Sequence, residues 1–330
     1  MNTRRFDVTA IGNAIVDVIA QAEDSLLAEH KLPKGAMNLI DAETAEALYG
    51  IMGPGKEASG GSAGNTIAGI AALGGKTAYI GKVAADQLGE VFTHDIRAVG
   101  VTYDTTPLVG GLPTARSLIF VTPDAQRTMQ TFLGATTQLG PEDINMDYIT
   151  SSKVVYLEGY LWDQPRAKKA MRDAAIRAEE SGVKVSLTLS DSFCVARFRD
   201  EFLELAEKHV DILFANESEL LSLYQTDNFD AALQQVRKHC EIAALTRSEK
   251  GSVVVNGDEV HVIDAVKGVK VVDTTGAGDA YAAGFLYAYT QGRDLATCGK
   301  LGGAMAAKVI SHFGPRSEVA DIKKIGASVL

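Results

Sequence analysis

The sequence predicts an α/β fold: a doubly wound, mostly parallel sheet with helices on both faces, plus a small β-sheet that forms a lid. Three observations support this prediction. Short β-rich runs alternate with helical patterns along most of the chain. Several of these runs are almost continuously apolar, as in parallel strands that are covered on both faces. Two further regions alternate apolar and polar residues like the strands of a smaller sheet.

The main sheet is predicted from six runs, namely Phe6–Ile11, Lys76–Ile80, Val154–Leu157, Val183–Leu189, Asp211–Phe214 and Ile242–Thr246. Helical patterns separate them, as in Gln164–Ser181, which Gly182 ends. Repeated strand–helix–strand units imply a doubly wound sheet. Closer to the C-terminus, a β meander is predicted from Ser252–Asn256, Glu259–Asp264 and Val269–Val272.

The lid is predicted from two pairs of alternating strands, Val16–Ala20 with Met37–Ile40 and Arg116–Thr122 with Thr128–Leu133. The link Pro123–Gln126 between the last two is a plausible hairpin turn. We therefore assign residues 16–46 and 108–134 to the lid. Residues 1–15, 47–107 and 135–330 form the core domain.

Composition excludes several classes of partner. The 330 residues include 32 Lys and Arg against 42 Asp and Glu, so the net charge is −10. A nucleic-acid or anionic-membrane surface needs a concentrated positive field, and no basic cluster stands out. The cysteines Cys194, Cys240 and Cys298 have no metal-site spacing. With no signal-peptide pattern and no stretch of about 20 apolar residues, a cytoplasmic protein is expected.

The most informative segment is Val271–Tyr281, which reads V-V-D-T-T-G-A-G-D-A-Y. A glycine turn leads into a helix predicted over Ala280–Thr290, so the N–H groups of Ala277, Gly278 and Asp279 should point out of a helix N-terminus. Such a terminus binds anions through its free donors and its positive dipole end. Glycine allows the backbone to approach the anion closely.

A carboxylate at Asp279 would repel an anion bound there. It could instead act as a base that takes the proton of an alcohol about to attack phosphorus. From this motif alone, an ordinary helix-cap carboxylate is an equally good interpretation. Two other phosphate motifs are excluded: Ile70 stands where a P-loop before Lys76-Thr77 needs its first glycine, and no G-x-G-x-x-G follows the first strand.

The ordered motifs resemble the ribokinase family of carbohydrate kinases, and among its members the adenosine kinases. The resemblance covers nearly the whole chain. It rests on D-T-T-G-A-G-D-A-Y, on Gly60–Asn65 (G-G-S-A-G-N), on the N-E-S-E run at Asn216–Glu219, on Thr188–Phe193 and on Gly12–Asp17. It implies that Asp279 is the catalytic base and that Gly276, Ala277 and Gly278 form the anion hole.

The resemblance also implies roles in substrate binding. Asp17 would accept hydrogen bonds from two sugar hydroxyls, as an ionised carboxylate can. Gly60 and Gly61 would let the sugar lie against bare backbone, and Asn65 would bind another hydroxyl. Asn13 would contact the substrate or only complete the strand end. Arg127 would close over the phosphates with the lid, or would be a surface charge of the hairpin.

For the nucleotide, the resemblance implies that Asn216, Thr246, Ser248 and Gly251 contact ATP in the core domain. Many members have glycine where this chain has Ser248. Glu219 would hold Mg²⁺ through water, which fits the reluctance of Mg²⁺ to dehydrate. An Asn cap on an acidic first turn is the plain structural alternative. Asp273 is the candidate for a monovalent-cation (K⁺) site.

The expected reaction is in-line transfer of the γ-phosphate of ATP to a hydroxyl, with adenosine the expected acceptor. An apolar slot for a base could be lined by Met37, Leu39, Leu161 and Trp162, the single tryptophan, although core packing of Trp162 is also open. His312 could border adenine or be an ordinary helix-end residue of Ala304–His312, which we take as the last helix.

Other acceptors and other functions stay open. Ala63-Gly64 is closer to the sugar-kinase motif, and Asn38 places an amide in the lid, so ribose, fructose or 2-keto-3-deoxygluconate is the alternative acceptor. A non-catalytic sugar or nucleotide sensor is a remote alternative. The expected partner is a small molecule, bound by a monomer or a homodimer.

Overall fold

The computed structural model describes residues 4–124 and 126–330, and its secondary structure alternates as the sequence predicts. The strands are β1 Phe6–Ile11, β2 Ile15–Gln21, β3 Met37–Leu39, β4 Gly55–Gly60, β5 Thr77–Ile80, β6 Thr102–Tyr103, β7 Ala115–Val121, β8 Arg127–Phe132, β9 Ser152–Glu158, β10 Lys184–Thr188, β11 Ile212–Asn216, β12 Ile242–Thr246, β13 Ser252–Asn256 and β14 Glu259–Ile263. Ala125, in the predicted hairpin turn, lies outside the described residues.

The helices follow the strands in the order expected of α/β units. They are α1 Asp24–Glu29, α2 Ala42–Ile51, α3 Ser62–Ala72, α4 Gln87–Ala98, α5 Met146–Thr150, α6 Pro165–Glu180, α7 Ser192–Lys208, α8 Glu217–Tyr224, α9 Phe229–His239, α10 Ala277–Thr290, α11 Leu295–Val309 and α12 Val319–Val329. Within the described ranges, no helix is both long and apolar enough to cross a membrane.

The main sheet has nine strands in the order β14-β13-β12-β11-β10-β9-β1-β5-β6. The seven strands from β12 to β6 run parallel, and β13 and β14 add an antiparallel meander at one edge. Apolar clusters fill both faces, one around α6 and α7 and the other around α3 and α10. This is the predicted doubly wound architecture, and it explains why the central strands are apolar on both sides.

A second sheet of five strands, ordered β3-β8-β7-β2-β4, is here called the lid sheet. Its antiparallel pair β7–β8 confirms the predicted strands Arg116–Thr122 and Thr128–Leu133. The strand β4 was not predicted, and it lies within residues 47–107, which the sequence assigned to the core domain. Glycine at both of its ends and Lys and Glu inside it hide its strand character, and only its pairing with β2 reveals it.

The predicted strand Val269–Val272 is wrong. The segment pairs with no strand in the described part of the chain, and β14 is left as the edge of the main sheet. The C-terminal end of the segment is instead hydrogen-bonded to the residue that follows α11, because the N–H of Val272 donates to the carbonyl oxygen of Ile310 at 2.8 Å.

The predicted last helix, Ala304–His312, is also wrong: α11 ends at Val309, and α12 follows it.

Trp162 belongs to the core and not to a ligand slot. Its side chain is fully buried, its ring lies 5.3 Å from that of Phe202, and its indole N–H donates to Glu201. Leu161 is also fully buried in the same cluster. The helical turn at Gly159–Asp163 directs both side chains under α6 and α7, so the sequence-based assignment of Trp162 and Leu161 to a base slot is wrong.

Replacing Trp162 by alanine should therefore lower the free energy of unfolding by about 3–5 kcal/mol, as for other large buried aromatics. Phe193 provides a matched control, since 76% of it is exposed. Phe193→Ala should change the free energy by no more than about 0.5 kcal/mol. Denaturant titrations of both variants measure the difference, and equal losses would contradict the burial of Trp162.

Candidate active site

A cavity of about 1440 Å³ lies where the lid sheet meets the carboxyl ends of the main-sheet strands. Ligands of doubly wound proteins bind at this edge of the sheet. The cavity is lined by most of the predicted site residues, namely Asn13, Asp17, Gly61, Asn65, Asn216, Glu219, Thr246, Ser248, Gly251, Gly276, Ala277, Gly278 and Asp279. Gly60 and Arg127 are not among the lining residues.

The predicted anion hole corresponds to the start of α10. Gly276 caps the helix in the left-handed region (φ +74°), and a Cβ there would come within 2.8 Å of Pro315. This position therefore requires glycine. The N–H groups of Gly278 and Asp279 make no hydrogen bond within the described ranges, whereas that of Ala277 donates to the carbonyl oxygen of Thr274 at 3.2 Å. Two of the three predicted donors are thus free to bind an anion.

The carboxylate of Asp279 lies at the same helix start and is held by two donors from the facing helix α3. Ser62 Oγ donates to Oδ1 at 2.7 Å, and Asn65 Nδ2 donates to Oδ2 at 3.0 Å. Burial raises the pKa of Asp279 to about 6, against the lowering effect of these two bonds and of Arg316. A carboxylate with this pKa is ionised at neutral pH and still basic enough to take up a proton.

Asp17 projects from β2 of the lid sheet, and its carboxylate lies directly against Gly60. A Cβ at Gly60 would come within 2.5 Å of the carboxylate carbon. Gly60 therefore makes room for Asp17, although it does not itself line the cavity. Burial raises the pKa of Asp17 to about 6, while Arg316 and Arg127 act in the opposite direction.

The backbone of Gly61 lies close to the backbone of Asn13. Gly61 has φ +82°, and a Cβ there would lie 2.1 Å from the carbonyl oxygen of Asn13. The amide of Asn13 is already engaged, because Nδ2 donates to Glu158 at 2.6 Å and Oδ1 accepts from Thr136 at 2.6 Å. Asn13 therefore completes a buried network at the end of β1 and also lines the cavity.

Glu158 is a site residue that the sequence analysis missed. Its side chain is 1% exposed, lines the cavity and accepts from Asn13 and from the N–H of Ala63. Burial raises its pKa to about 7. A charged residue at the carboxyl end of an apolar strand was the available signal, since ligands collect at that edge.

Arg127 does not occupy the surface of the hairpin. Its guanidinium is buried and forms an ion pair with Asp273, with 2.6 Å between Nη2 and Oδ2. The Asp273 carboxylate also accepts from the N–H groups of Thr275 and Gly314 at 3.0 Å each. The lid sheet is thereby tied to the loop that precedes α10. His312 bonds to Ser317 and Phe313 and does not line the cavity.

Of the residues predicted to contact ATP, Asn216 and Thr246 end β11 and β12, and Ser248 and Gly251 follow β12. Asn216 and Glu219 form a capping box at the start of α8, in which both Glu219 carboxylate oxygens accept from Asn216. Ser248 has φ +50° and Gly251 has φ +81°, two left-handed positions that favour glycine. Ser248 therefore holds a backbone conformation that glycine adopts at lower cost.

The donors present fit a magnesium ion only indirectly. Within the described ranges, no group of three His, Cys, Asp or Glu side chains is placed to hold a metal. Glu219 lines the cavity, but its oxygens are bonded to Asn216, so contact through water is the arrangement that fits. Mg²⁺ commonly keeps several waters and binds mainly through substrate phosphates.

Comparisons with known proteins identify the family of this chain. A model of the pfkB family carbohydrate kinases matches residues 39–322. An adenosine kinase from Sinorhizobium meliloti is 57% identical, with a TM-score of 0.92 over 99% of this chain and 100% of that one. A probable sugar kinase from Rhizobium etli CFN 42 is 56% identical, with a TM-score of 0.91 over the same shares. An adenosine kinase from Saccharomyces cerevisiae is 28% identical over 93% of this chain and 96% of its own.

The protein is therefore a phosphotransferase that acts on a hydroxyl acceptor. It belongs to the pfkB family of carbohydrate kinases. Membership implies ATP as the phosphate donor, together with Mg²⁺.

The raised pKa of Asp279 has a consequence for stability. The native pKa of about 6 exceeds the ordinary value of about 3.9, so the native state binds more protons between these pH values and the free energy of unfolding falls as pH rises through that window. Asp279→Asn removes the charge, and Ser62 can rotate its hydroxyl to accept. We expect the variant to be more stable than the wild type by about 1–2 kcal/mol at pH 7, and by less at pH 5.

Urea titrations at the two pH values measure this difference. Asp294 is the control of opposite sign, because the N–H of Thr297 holds the pKa of that carboxyl below its usual range. Asp294→Asn should gain no stability at pH 7. An Asp279→Asn protein that is less stable than the wild type at pH 7 would contradict the burial argument.

Proposed function

We propose that this protein transfers the γ-phosphate of ATP in line to a nucleoside hydroxyl, with adenosine the expected acceptor and AMP the product, and that Asp279 is the general base. The observation that carries the proposal is the position of one buried carboxylate beside two unpaired helix N–H groups. The similarity to an adenosine kinase at 57% identity supports the choice of acceptor.

The carboxylate and the helix N–H groups would each contribute to the proposed reaction. The acceptor hydroxyl would lie between Asp279 and the γ-phosphate, so that its proton passes to the carboxylate as its oxygen attacks phosphorus. The N–H groups of Gly278 and Asp279 and the dipole of α10 would stabilise the charge that grows on the transferring group. Mg²⁺, when bound, would neutralise phosphate charge, with Glu219 contacting it through water.

Asp17 and Asn65 would hold the sugar. Asp17 has carboxylate oxygens facing the cavity from the lid sheet, and a vicinal diol can donate to both of them. Asn65 contacts Asp279 directly, so a hydroxyl bound near Asn65 is also close to the base. Lid contact over the sugar would exclude water and limit ATP hydrolysis.

An apolar slot favours a nucleoside over a free sugar. Met37, Leu39 and Phe193 line the cavity while remaining 44%, 57% and 76% exposed. Exposed apolar side chains in a cavity lose unfavourable contact with water when a flat base covers them. Asn38, which counted against adenosine in the sequence, is not a lining residue, because alternation along β3 places Met37 and Leu39 on the cavity side.

A free-sugar kinase is the second candidate. The similarity to a probable sugar kinase at 56% identity favours it. The proposal assigns no monovalent cation to Asp273, because Arg127 already neutralises that carboxylate. A reduced cytoplasmic setting accords with three buried free cysteines.

Asp279→Asn is expected to lower kcat by roughly 10²–10⁴-fold, the usual worth of a positioned general base. The binding of acceptor and ATP should be retained, since the amide is isosteric with the carboxylate. Steady-state kinetics together with calorimetric binding of adenosine measure both effects. A variant with near-normal turnover would remove Asp279 from this role.

ADP release, measured with ATP, Mg²⁺ and either adenosine, ribose, fructose or 2-keto-3-deoxygluconate, tests the acceptor. We expect the highest kcat/KM with adenosine. Leu39→Asn should raise the KM for adenosine about tenfold or more, because about 1–3 kcal/mol of apolar contact is lost, and should leave sugar kinetics unchanged. Preference for a free sugar, or an equal effect on both acceptors, would contradict the nucleoside assignment.

A further inference from the structure

The segment Gly314–Arg316, between α11 and α12, touches both sides of the catalytic carboxylate. The N–H of Gly314 donates to Asp273 at 3.0 Å. Pro315 packs so closely on Gly276 that a Cβ on that glycine would clash with it. Arg316 reaches the opposite wall, which is formed by β4 and α3. One short segment thus contacts the anion-hole loop and the helix that holds the base.

Arg316 makes two well-defined hydrogen bonds. Its Nε donates to Asn65 Oδ1 at 2.9 Å, and its Nη1 donates to Ser59 Oγ at 2.6 Å. Ser59 is fixed in turn, because its Oγ and N–H donate to the carboxylate of Asp95 at 2.8 and 2.7 Å. The guanidinium is therefore held at two points by groups that are themselves anchored.

The first bond determines how Asn65 meets Asp279. Because Asn65 Oδ1 accepts from Arg316, its Nδ2 must point the other way, and it donates to Asp279 Oδ2 at 3.0 Å. The opposite orientation of the amide would place a carbonyl oxygen against a carboxylate and a nitrogen donor against a guanidinium. Both contacts would be repulsive. Arg316 thus selects the single orientation of Asn65 that stabilises the base.

The charge of Arg316 also bears on the site. The guanidinium interacts electrostatically with Asp17, Asp95 and Asp279, with Asp17 the strongest of the three. Its Nη2 is buried and has no hydrogen-bond partner in the described part of the chain. The arginine does not line the cavity, so its effect on the reaction would pass through Asn65 and through its field.

We propose that Arg316 is a positioning residue for phosphate transfer, which orients the Asn65 amide toward Asp279 and balances the charge of the Asp17 and Asp279 carboxylates. This inference rests on the proposed function, because it assigns Arg316 to the same base. The charge of Asp279 in turn raises the pKa of neighbouring groups, namely the carboxyls of Asp17, Glu158 and Glu219 and the phenols of Tyr156 and Tyr160. Among these groups Arg316 supplies the positive charge.

Arg316→Met tests the proposal, because methionine fills much of the space but removes the donors and the charge. We expect kcat to fall about 10–100-fold, as for other residues that orient a reacting group, with the KM for ATP changed by less than about twofold. The acidic limb of kcat/KM for the acceptor should move to higher pH, because the cation that lowers the pKa of Asp279 is gone. A purely structural role would not move this limb.

Two further variants separate charge from orientation. Arg316→Lys keeps the charge but lacks the guanidinium fork, so the limb should return toward its wild-type position while kcat stays reduced. In an Asn65→Ala background, Arg316→Met should lower kcat by a smaller factor than in the wild type, because the amide it orients is absent. Arg293→Met, at an exposed position after α10, is the matched control and should be unchanged.

The outcomes distinguish this inference from the proposed function. A wild-type protein that phosphorylates no acceptor would overturn both. An active wild type whose Arg316→Met variant keeps its kcat and its acidic limb would overturn the inference alone. If Arg316→Met does not fold, as judged by thermal unfolding, Arg316→Lys decides: wild-type kcat in that variant would refute the orienting role.

Discussion

The structure depends most on the meeting of two helix starts, those of α3 and α10, around the carboxylate of Asp279. Each helix is entered through a glycine with positive φ, Gly61 and Gly276, which only glycine adopts at low cost. The helices pack through small residues, so closely that a Cβ on Gly69 would lie 2.8 Å from Ala283. This close approach brings Ser62 and Asn65 within hydrogen-bond reach of Asp279.

In the proposed function, the same arrangement combines a base with an anion site. An isolated buried carboxylate is unfavourable, and burial is indeed the largest cause of the raised pKa of Asp279. Two donors and one nearby guanidinium offset part of that penalty without removing the basicity. Burying the Asp279 carboxylate thus lowers the stability of the protein while it provides the base of the proposed reaction. Such a trade-off between stability and activity recurs at active sites.

The sequence predicted the parts of this account that are encoded locally. The apolar runs identified the main sheet, and the D-T-T-G-A-G-D segment identified the turn, the helix start and Asp279. β4 was not predicted, because its pairing with β2 and not its composition makes it a strand. Val269–Val272 has the composition of a strand but pairs with none in the described part of the chain. Trp162 is directed inward by the turn at Gly159–Asp163, and composition does not specify the geometry of such a turn.

Long-range pairs were the least predictable. Arg127 and Asp273 are 146 residues apart, and the sequence analysis treated each separately, one as a phosphate ligand and the other as a cation site. Arg316 and Asn65 are 251 residues apart, and nothing near Arg316 marks it as part of a site. Glu158 was accessible to reasoning, because a charge at the end of an apolar strand has few structural explanations.

The most direct test of the account is a crystal structure of the protein with adenosine and a non-hydrolysable ATP analogue. The account predicts the 5′-hydroxyl oxygen about 2.6–3.2 Å from a carboxylate oxygen of Asp279, on the side that faces the terminal phosphate. It also predicts that phosphate within hydrogen-bond reach of the N–H groups of Gly278 and Asp279. A hydroxyl bonded to Asp17 or Glu158 instead, with Asp279 directed away from it, would contradict the assignment of the base.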